Sequence, residues 1–555
     1  MNKKIIYIYI VFVLLSSNLV FAQESYPKDY FRSPIDSPIY LSGGFCTLRN
    51  DHFHSGIDIT TYERENMNVL AAADGWVSRI KVSPFGYGKA LYIDHPNGYT
   101  TVYGHLNSYT DEIGKYVKQI QYNVKSFEID VFPKKDELRI VKGQLVALSG
   151  NTGGSSGPHV HFEIRDTKTE EIINPILFGI EVNDTIAPEI KQVAINRIYP
   201  NNFQANKTLA VINSNQSRLL NSDTIFIPAG TTGIDAVVND YTTFKVIPFN
   251  PYEINLYIND EKYYTCKFEK FSFDKSKYVN GHLNYSSWWN YGIKYQRLYK
   301  LSSNQLYFYQ TKREGIFEVQ ENKLYHINIE AIDLAGFSKQ FDFFIMGIND
   351  TLKDSIVSEP KRINNYSKLE YLENSLSIPD ELEAIEIGNG RVKVKYKHSD
   401  LPITFVKPCT IYIYYEGSTS SSKSALYYID YNKNIIYAGG SFKGGYVSGN
   451  VAKPGIYFIG EDLQKPVIKP INITKKNYIK GRHLSFKIVD KLSGIDKYNL
   501  YFNNQWVLAE YDAKSDMITY FFDTQTQQGW QVVTLKVLDK MGNETIYTKK
   551  VCIKN

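Results

Sequence analysis

Only four cysteines occur in 555 residues, Cys46, Cys266, Cys409 and Cys552, and they are far apart in the chain. That rules out a dense disulfide framework and a Cys-x-x-Cys metal clip. Clusters of Lys and Arg interleaved with aromatics are also missing. The 63 basic and 58 acidic residues leave a net charge of +5, to which Lys3 and Lys4 contribute. This balance offers no footprint for nucleic acid. Past the N-terminus, no stretch approaches the roughly 20 apolar residues of a membrane-spanning helix. A composition of 43% hydrophobic and 22% charged residues argues against wholesale disorder.

What is present is β-forming. Tyrosine is abundant, at 45 residues, and Tyr and Ile favour strands. Short alternating runs such as Trp76–Ile80, Ala90–Asp94 and Thr100–Tyr103 are separated by turn signals at Asp74-Gly75 and Pro96-Asn97-Gly98. The fold class expected is all-β. The first residues, Met1-Asn2-Lys3-Lys4, an apolar run from Ile5 to Leu15, and Val20-Phe21-Ala22, read as a secretory signal peptide over 1–22. This implies export, to the periplasm, the cell envelope or the extracellular space.

After a lead-in at 23–39, the pattern divides into a domain at 40–182 with a charged, irregular insertion at about 109–138. Three strand-rich units follow at 188–346, 369–464 and 466–555. Strands closing in Asp333-Leu334-Ala335-Gly336 and Asp539-Lys540-Met541-Gly542 resemble those of immunoglobulin-like β-sandwiches. This division puts one cysteine in each domain, so four free, buried thiols are expected.

Six of the ten histidines fall between positions 52 and 161. Four of the six lie in three elements: His54-Ser55-Gly56-Ile57-Asp58, then Tyr103-Gly104-His105-Leu106, then the run from Gly150 through Gly153-Gly154-Ser155-Ser156-Gly157-Pro158 to His159-Val160-His161-Phe162-Glu163. Alternate residues of a strand share a face, so His159, His161 and Glu163 project together while Val160 and Phe162 point the other way. The glycine-rich run reads as a tight loop that sets where the strand begins. His54, Asp58 and one of His159 and His161 make the three-ligand set of a catalytic zinc ion, which keeps a fourth position for water. The remaining histidines are left to move protons or to stabilise an oxyanion. Spacing alone does not say which member of the pair is the ligand.

The three elements resemble the signature of the M23 (lysostaphin/LytM-like) zinc metallopeptidases, over about residues 40–180. The resemblance implies a compact antiparallel β domain with His54, Asp58 and His161 holding Zn2+, and His105 and His159 as the catalytic histidines. It further implies a secreted endopeptidase hydrolysing peptide bonds in peptidoglycan stem peptides or cross-links. The alternatives are a non-catalytic LytM-like regulator of a cell-wall amidase and a wall-binding scaffold. Peptidoglycan peptide is the implied substrate, and the C-terminal domains are candidates to hold cell-envelope protein partners. No nucleic acid and no membrane span after signal removal are expected.

Around this set, Glu163 is placed to orient a ligand, and Tyr103 either donates into the groove or packs in the core. His52 either supports a ligand or is a polar turn residue, and His95 reads as a turn residue. Cys46 stands where many relatives carry glycine, and a buried neutral thiol is expected there.

Overall fold

The computed structural model describes residues 26–36, 38–199, 206–214, 224–243, 247–349, 367–388, 390–415, 422–523 and 526–553. The expected signal peptide at 1–22 lies outside the described residues, as does most of the expected linker at 347–368.

The N-terminal region is built on one antiparallel sheet. Its strands are β1 (Leu41–Gly43), β2 (Ile57–Thr60), β4 (Gly75–Val82), β5 (Lys89–Asp94), β6 (Tyr99–Leu106), β8 (Ile129–Val131) and β11 (His159–Asp166), in the spatial order β1-β2-β11-β6-β5-β4-β8. A three-stranded sheet lies beside it, with β10 (Leu145–Leu148) between β3 (Asn68–Leu70) and β7 (Ser108–Tyr109). Two short strands, β9 (Arg139–Ile140) and β12 (Ile172–Ile173), pair with β4 and β11.

β11 is central because its alternate residues Val160, Phe162 and Ile164 are apolar, and all three are fully buried. At about 1.5–3 kcal/mol for each such side chain, this burial fixes which face of the strand points inward. The opposite face, carrying His159, His161, Glu163 and Arg165, is thereby committed to a single polar site. Register completes the placement: His161 pairs with Asp58 on β2 and with Gly104 on β6.

The segment at 109–138, read from the sequence as irregular, contains a helix, α1 (Asp111–Val124), and the strand β8. Asp111 and Glu112 occupy its first turn, where the helix dipole favours negative charge. Ile113, Val117 and Gln121 form its buried stripe at four-residue spacing. The charged residues between them hid that stripe. On its outer side α1 meets the C-terminal region: Lys118 pairs with Asp523 at 2.6 Å, and the Tyr122 ring packs edge-on to Trp506 with centroids 5.3 Å apart.

Beyond residue 188 the chain continues in pairs of sheets. Strands between 189 and 348 form a five- and a six-stranded sheet; those between 367 and 461, a four- and a five-stranded sheet; those between 467 and 553, two four-stranded sheets. The first of these units is fused to the N-terminal region. β12 pairs with the strand Lys270–Phe271, and Phe53 packs among Phe268, Phe271 and Phe308. Cys46 and Cys266, assigned to separate domains by sequence, share this one apolar cluster. All four cysteines are free and buried, and burial pushes the Cys46 thiol well above its ordinary range. Among the described residues, no helix is long and apolar enough to cross a membrane.

Candidate metal centre and its histidines

Three side chains from two adjacent strands and the turn before them converge. His54 Nε2 lies 2.9 Å from Asp58 Oδ1 and 3.1 Å from His161 Nδ1, and His161 Nδ1 lies 2.9 Å from Asp58 Oδ1. His54, Asp58 and His161 are 7%, 7% and 2% exposed. The opposite ring nitrogens are already engaged. His54 Nδ1–H donates to the Gly44 carbonyl at 2.8 Å, and His161 Nε2–H donates to Glu163 Oε1 at 2.9 Å. Each imidazole therefore turns its other nitrogen toward the common centre, the arrangement in which protein partners orient metal-ligating histidines.

The chain pays for this closeness with glycine at Gly43. A Cβ at that position would lie 2.4 Å from Asp58 Oδ2.

The donor set fits a zinc ion. Two imidazole nitrogens and one carboxylate oxygen are the ligand types of open catalytic zinc sites. Their separations, 2.9–3.1 Å, are a few tenths of an ångström below the roughly 3.3 Å spanned by tetrahedral ligands at ~2.0–2.1 Å. Burial would lower His161, but its bonds to Asp58 and Glu163 dominate and raise it to about 9. Burial likewise opposes ionisation of Asp58, and the surrounding His54, His159 and His161 overcome it, holding the carboxyl well below the usual range.

Two more histidines face the same space from the other side. His159 Nδ1–H donates to the Gly157 carbonyl at 2.8 Å, and its Nε2 stands 3.4 Å from Asp58 Oδ1. His105 Nδ1–H donates to the Thr152 carbonyl at 2.8 Å, and its ring lies 4.7 Å from that of His159. Both acceptor carbonyls belong to the glycine-rich loop. Its path depends on Gly153, where φ is +70° and a Cβ would meet the Gly88 nitrogen at 2.3 Å. Burial, then the neighbouring His161 and His159, push His105 down to about 3, so it is neutral across the physiological range.

All five residues singled out from the sequence, His54, Asp58, His105, His159 and His161, thus come together. Glu163 joins them as the orienting partner of His161. Tyr103 does not. Simple alternation along β6 would place Tyr103 beside His105, but His105 adopts φ +58°, which breaks the alternation. Tyr103 is fully buried, packs on Phe162, and accepts from Ala72 N at 2.8 Å. His52 is a surface turn residue bonded to Asp51 at 2.7 Å. His95, read as a turn residue, is buried and bridges the Asp74 carbonyl and Thr101 Oγ1 at 2.8 Å each.

Sequence reasoning missed four contributors. Arg165 Nε donates to Glu163 Oε2 at 2.7 Å, and with its help Glu163 ionises despite complete burial. The period-two run 159, 161, 163, 165 would have found it. Tyr87 donates to Glu163 Oε1 at 2.5 Å and stacks on His161 with centroids 4.8 Å apart, and Ser55 donates in turn to Tyr87. Arg49 Nη2 lies 3.3 Å from Asp58 Oδ2. Tyr87 comes from a loop remote in sequence, whereas Arg49 and Ser55 lie close to His54, and no periodicity marks any of the three.

The sequence profile of Peptidase family M23 matches residues 52–122. An uncharacterized metalloprotease of Haemophilus influenzae is 30% identical over 146 residues, covering 25% of this chain and 26% of that protein. The DD-carboxypeptidase/endopeptidase Mpg of Neisseria meningitidis serogroup B is 31% identical over 174 residues, covering 31% of this chain and 30% of that protein. The chain thus spans less than a third of the length of these curated relatives. Among solved structures, the catalytic domain of the prophage-encoded M23 protein EnpA from Enterococcus faecalis is 23% identical over 27% of this chain and 98% of its own, with a TM-score of 0.20.

Proposed function

From the match of residues 52–122 to the profile of peptidase family M23, we propose that the chain is an exported, zinc-dependent endopeptidase that hydrolyses peptide bonds in peptidoglycan stem peptides or cross-links. The observation that carries this reading is the convergence of His54, Asp58 and His161 on one centre with His105 and His159 on its open side. A bound zinc ion supplies Lewis acidity toward a carbonyl and a water of lowered pKa. His54, Asp58 and His161 hold that ion. Glu163, Tyr87 and Arg165 keep His161 in the tautomer whose Nδ1 faces inward. His159 and His105, each with Nδ1–H tied to a loop carbonyl, present a bare Nε2. One accepts the proton of the attacking water on Nε2 and, as the imidazolium, returns it to the leaving amine; the other accepts a hydrogen bond from the second proton of that water and orients its attack.

The names of the peptidoglycan DD-endopeptidases ShyA and ShyB of Vibrio cholerae favour peptidoglycan as substrate, and that of DD-carboxypeptidase/endopeptidase Mpg favours peptide-bond hydrolysis. Intact ligand and histidine positions favour an enzyme over a silent amidase regulator. The test pairs metal content with digestion of purified peptidoglycan, comparing the mature protein with Asp58→Ala. The unsubstituted protein is expected to carry one zinc and release new peptide ends, and Asp58→Ala to lose both. Zinc without cleavage in the unsubstituted protein would move the reading to a regulator.

The C-terminal units and the insertion at 109–138 act, in this reading, on access to the site. Lys514 Nζ donates to the carbonyls of Asn151 and Ser155 in the glycine-rich loop, and Lys89 pairs with Glu510 at 2.8 Å. Replacing residues 111–124 by a short Gly/Ser link is therefore expected to leave zinc content unchanged and to alter which muropeptides are released. Parallel loss of zinc and activity would show that α1 is structural.

A further inference from the structure

Away from the histidines, three carboxylates meet where the N-terminal region joins the next unit. Asp184 lies in the connection after β12, Asp240 directly after the strand Gly230–Asn239, and Asp333 directly after the strand Leu324–Ile332. One oxygen from each lies within 4.8 Å of the others. Asp240 and Asp333 are 7% and 5% exposed. None of the three pairs with a Lys, Arg or His among the described residues. Asp333 Oδ1 accepts the Phe337 amide at 2.8 Å, but Asp333 Oδ2 is enclosed and has no hydrogen-bond partner. An ionised carboxylate oxygen buried without a donor costs several kcal/mol unless a cation meets it.

We propose that Asp184, Asp240 and Asp333 form a binding site for a divalent cation of the calcium class, which ties the connection at 184 to the two strand ends of the following unit. Three hard oxygen donors with no nitrogen or sulfur among them select Ca2+ or Mg2+ over zinc. Ca2+, with longer bonds to oxygen of ~2.3–2.6 Å and flexible coordination, tolerates a wider oxygen spread than the ~2.0–2.1 Å octahedron of Mg2+. Space is available, since Asp184 and Asp240 line a cavity of about 410 Å³ that also reaches Gly44 and Phe249. Burial and the two neighbouring carboxylates push Asp240 up to about 8.

A second trio, Asp462, Asp490 and Asp539, also brings one oxygen from each within 4.8 Å of the others but has a different character. Both oxygens of Asp462 and of Asp539 are met by amides of the chain itself. It serves here as the internal contrast.

The site also adjoins the candidate metal centre. Asp240 exchanges backbone hydrogen bonds with Phe249, whose ring packs against Gly44, and the Gly44 carbonyl holds His54. The cation would brace the wall behind His54 without touching zinc.

The experiment is 45Ca2+ equilibrium dialysis on the mature full-length protein at up to about 1 mM free calcium, the range of extracellular modules, with thermal unfolding alongside. Asp240→Asn is compared with the unsubstituted protein and with Asp490→Asn. Asp240→Asn is expected to lose one bound calcium and the calcium-dependent rise in Tm, while Asp490→Asn keeps the Asp240-dependent equivalent. Without calcium, Asp240→Asn is expected to melt no lower than the unsubstituted protein, because it removes repulsion. Equal calcium binding by Asp240→Asn and the unsubstituted protein, or no binding by the latter, would overturn the proposal, as would a Tm loss in Asp240→Asn of the same size with and without calcium. Should Asp240→Asn fail to fold, the partly exposed Asp184→Asn reads the same calcium equivalent.

Discussion

His159→Ala is expected to keep its zinc and lose hydrolysis by roughly 10²–10⁴-fold, the span of a general acid–base group. The ligand atoms of His54, Asp58 and His161 close on one another without His159, so its removal leaves the set intact. What disappears is the Nε2 facing the open side of the centre, 3.4 Å from Asp58 Oδ1, held there because Nδ1–H is tied to the Gly157 carbonyl. Metal analysis and peptidoglycan digestion on the same preparation separate the two effects. If zinc falls in step with activity, His159 is a ligand and the assignment of His161 is wrong. His105→Ala should also lower activity at constant zinc. The two losses should not add, because both nitrogens serve one proton path.

Arg165→Leu is expected to destabilise the N-terminal region by about 3–5 kcal/mol, the usual consequence of removing one partner from a buried ion pair. Glu163 is fully buried and Arg165 8% exposed, and Arg165 supplies two of the donors on the Glu163 carboxylate. Melting should fall on the order of 10 °C. Burial by itself would raise the Glu163 carboxyl; Arg165, with the His161 and Tyr87 bonds, holds it far below the usual range. A depressed carboxyl contributes stability above its unfolded value of ~4.3 and loses it as pH falls toward its folded value. The gap between the unsubstituted protein and Arg165→Leu should therefore be widest at neutral pH and narrow in acid. Zinc affinity should drop about 10–100-fold as well, since Glu163 orients His161. Adding Glu163→Gln to Arg165→Leu should recover part of the stability, because no bare charge then remains buried. A variant that melts like the unsubstituted protein at pH 7 would show that the pair contributes nothing.

Much of the site could be read from the chain because its chemistry is local. The alternation of β11 puts His159, His161 and Glu163 on one face by the geometry of a strand alone, and the four-residue step from His54 to Asp58 sits within a single turn and strand. The same logic extends to Arg165, one step further along. An all-β architecture was likewise announced by Tyr- and Ile-rich alternating runs punctuated by glycine. Tertiary structure decided everything that depends on which strands become neighbours. Tyr87 reaches the centre only because β2, β6 and β11 pair in a particular register. His105 reaches it through a left-handed backbone that no pattern announces, and the same kink turns Tyr103 into the core. Charged residues masked the helix at 111–124, whose three buried side chains matter only once a sheet exists to receive them. The trio of Asp184, Asp240 and Asp333 draws on residues nearly 150 positions apart. Sequence specifies the groups each element can offer; which offers converge is set by packing, because only folding brings distant groups to within a few ångströms of one another.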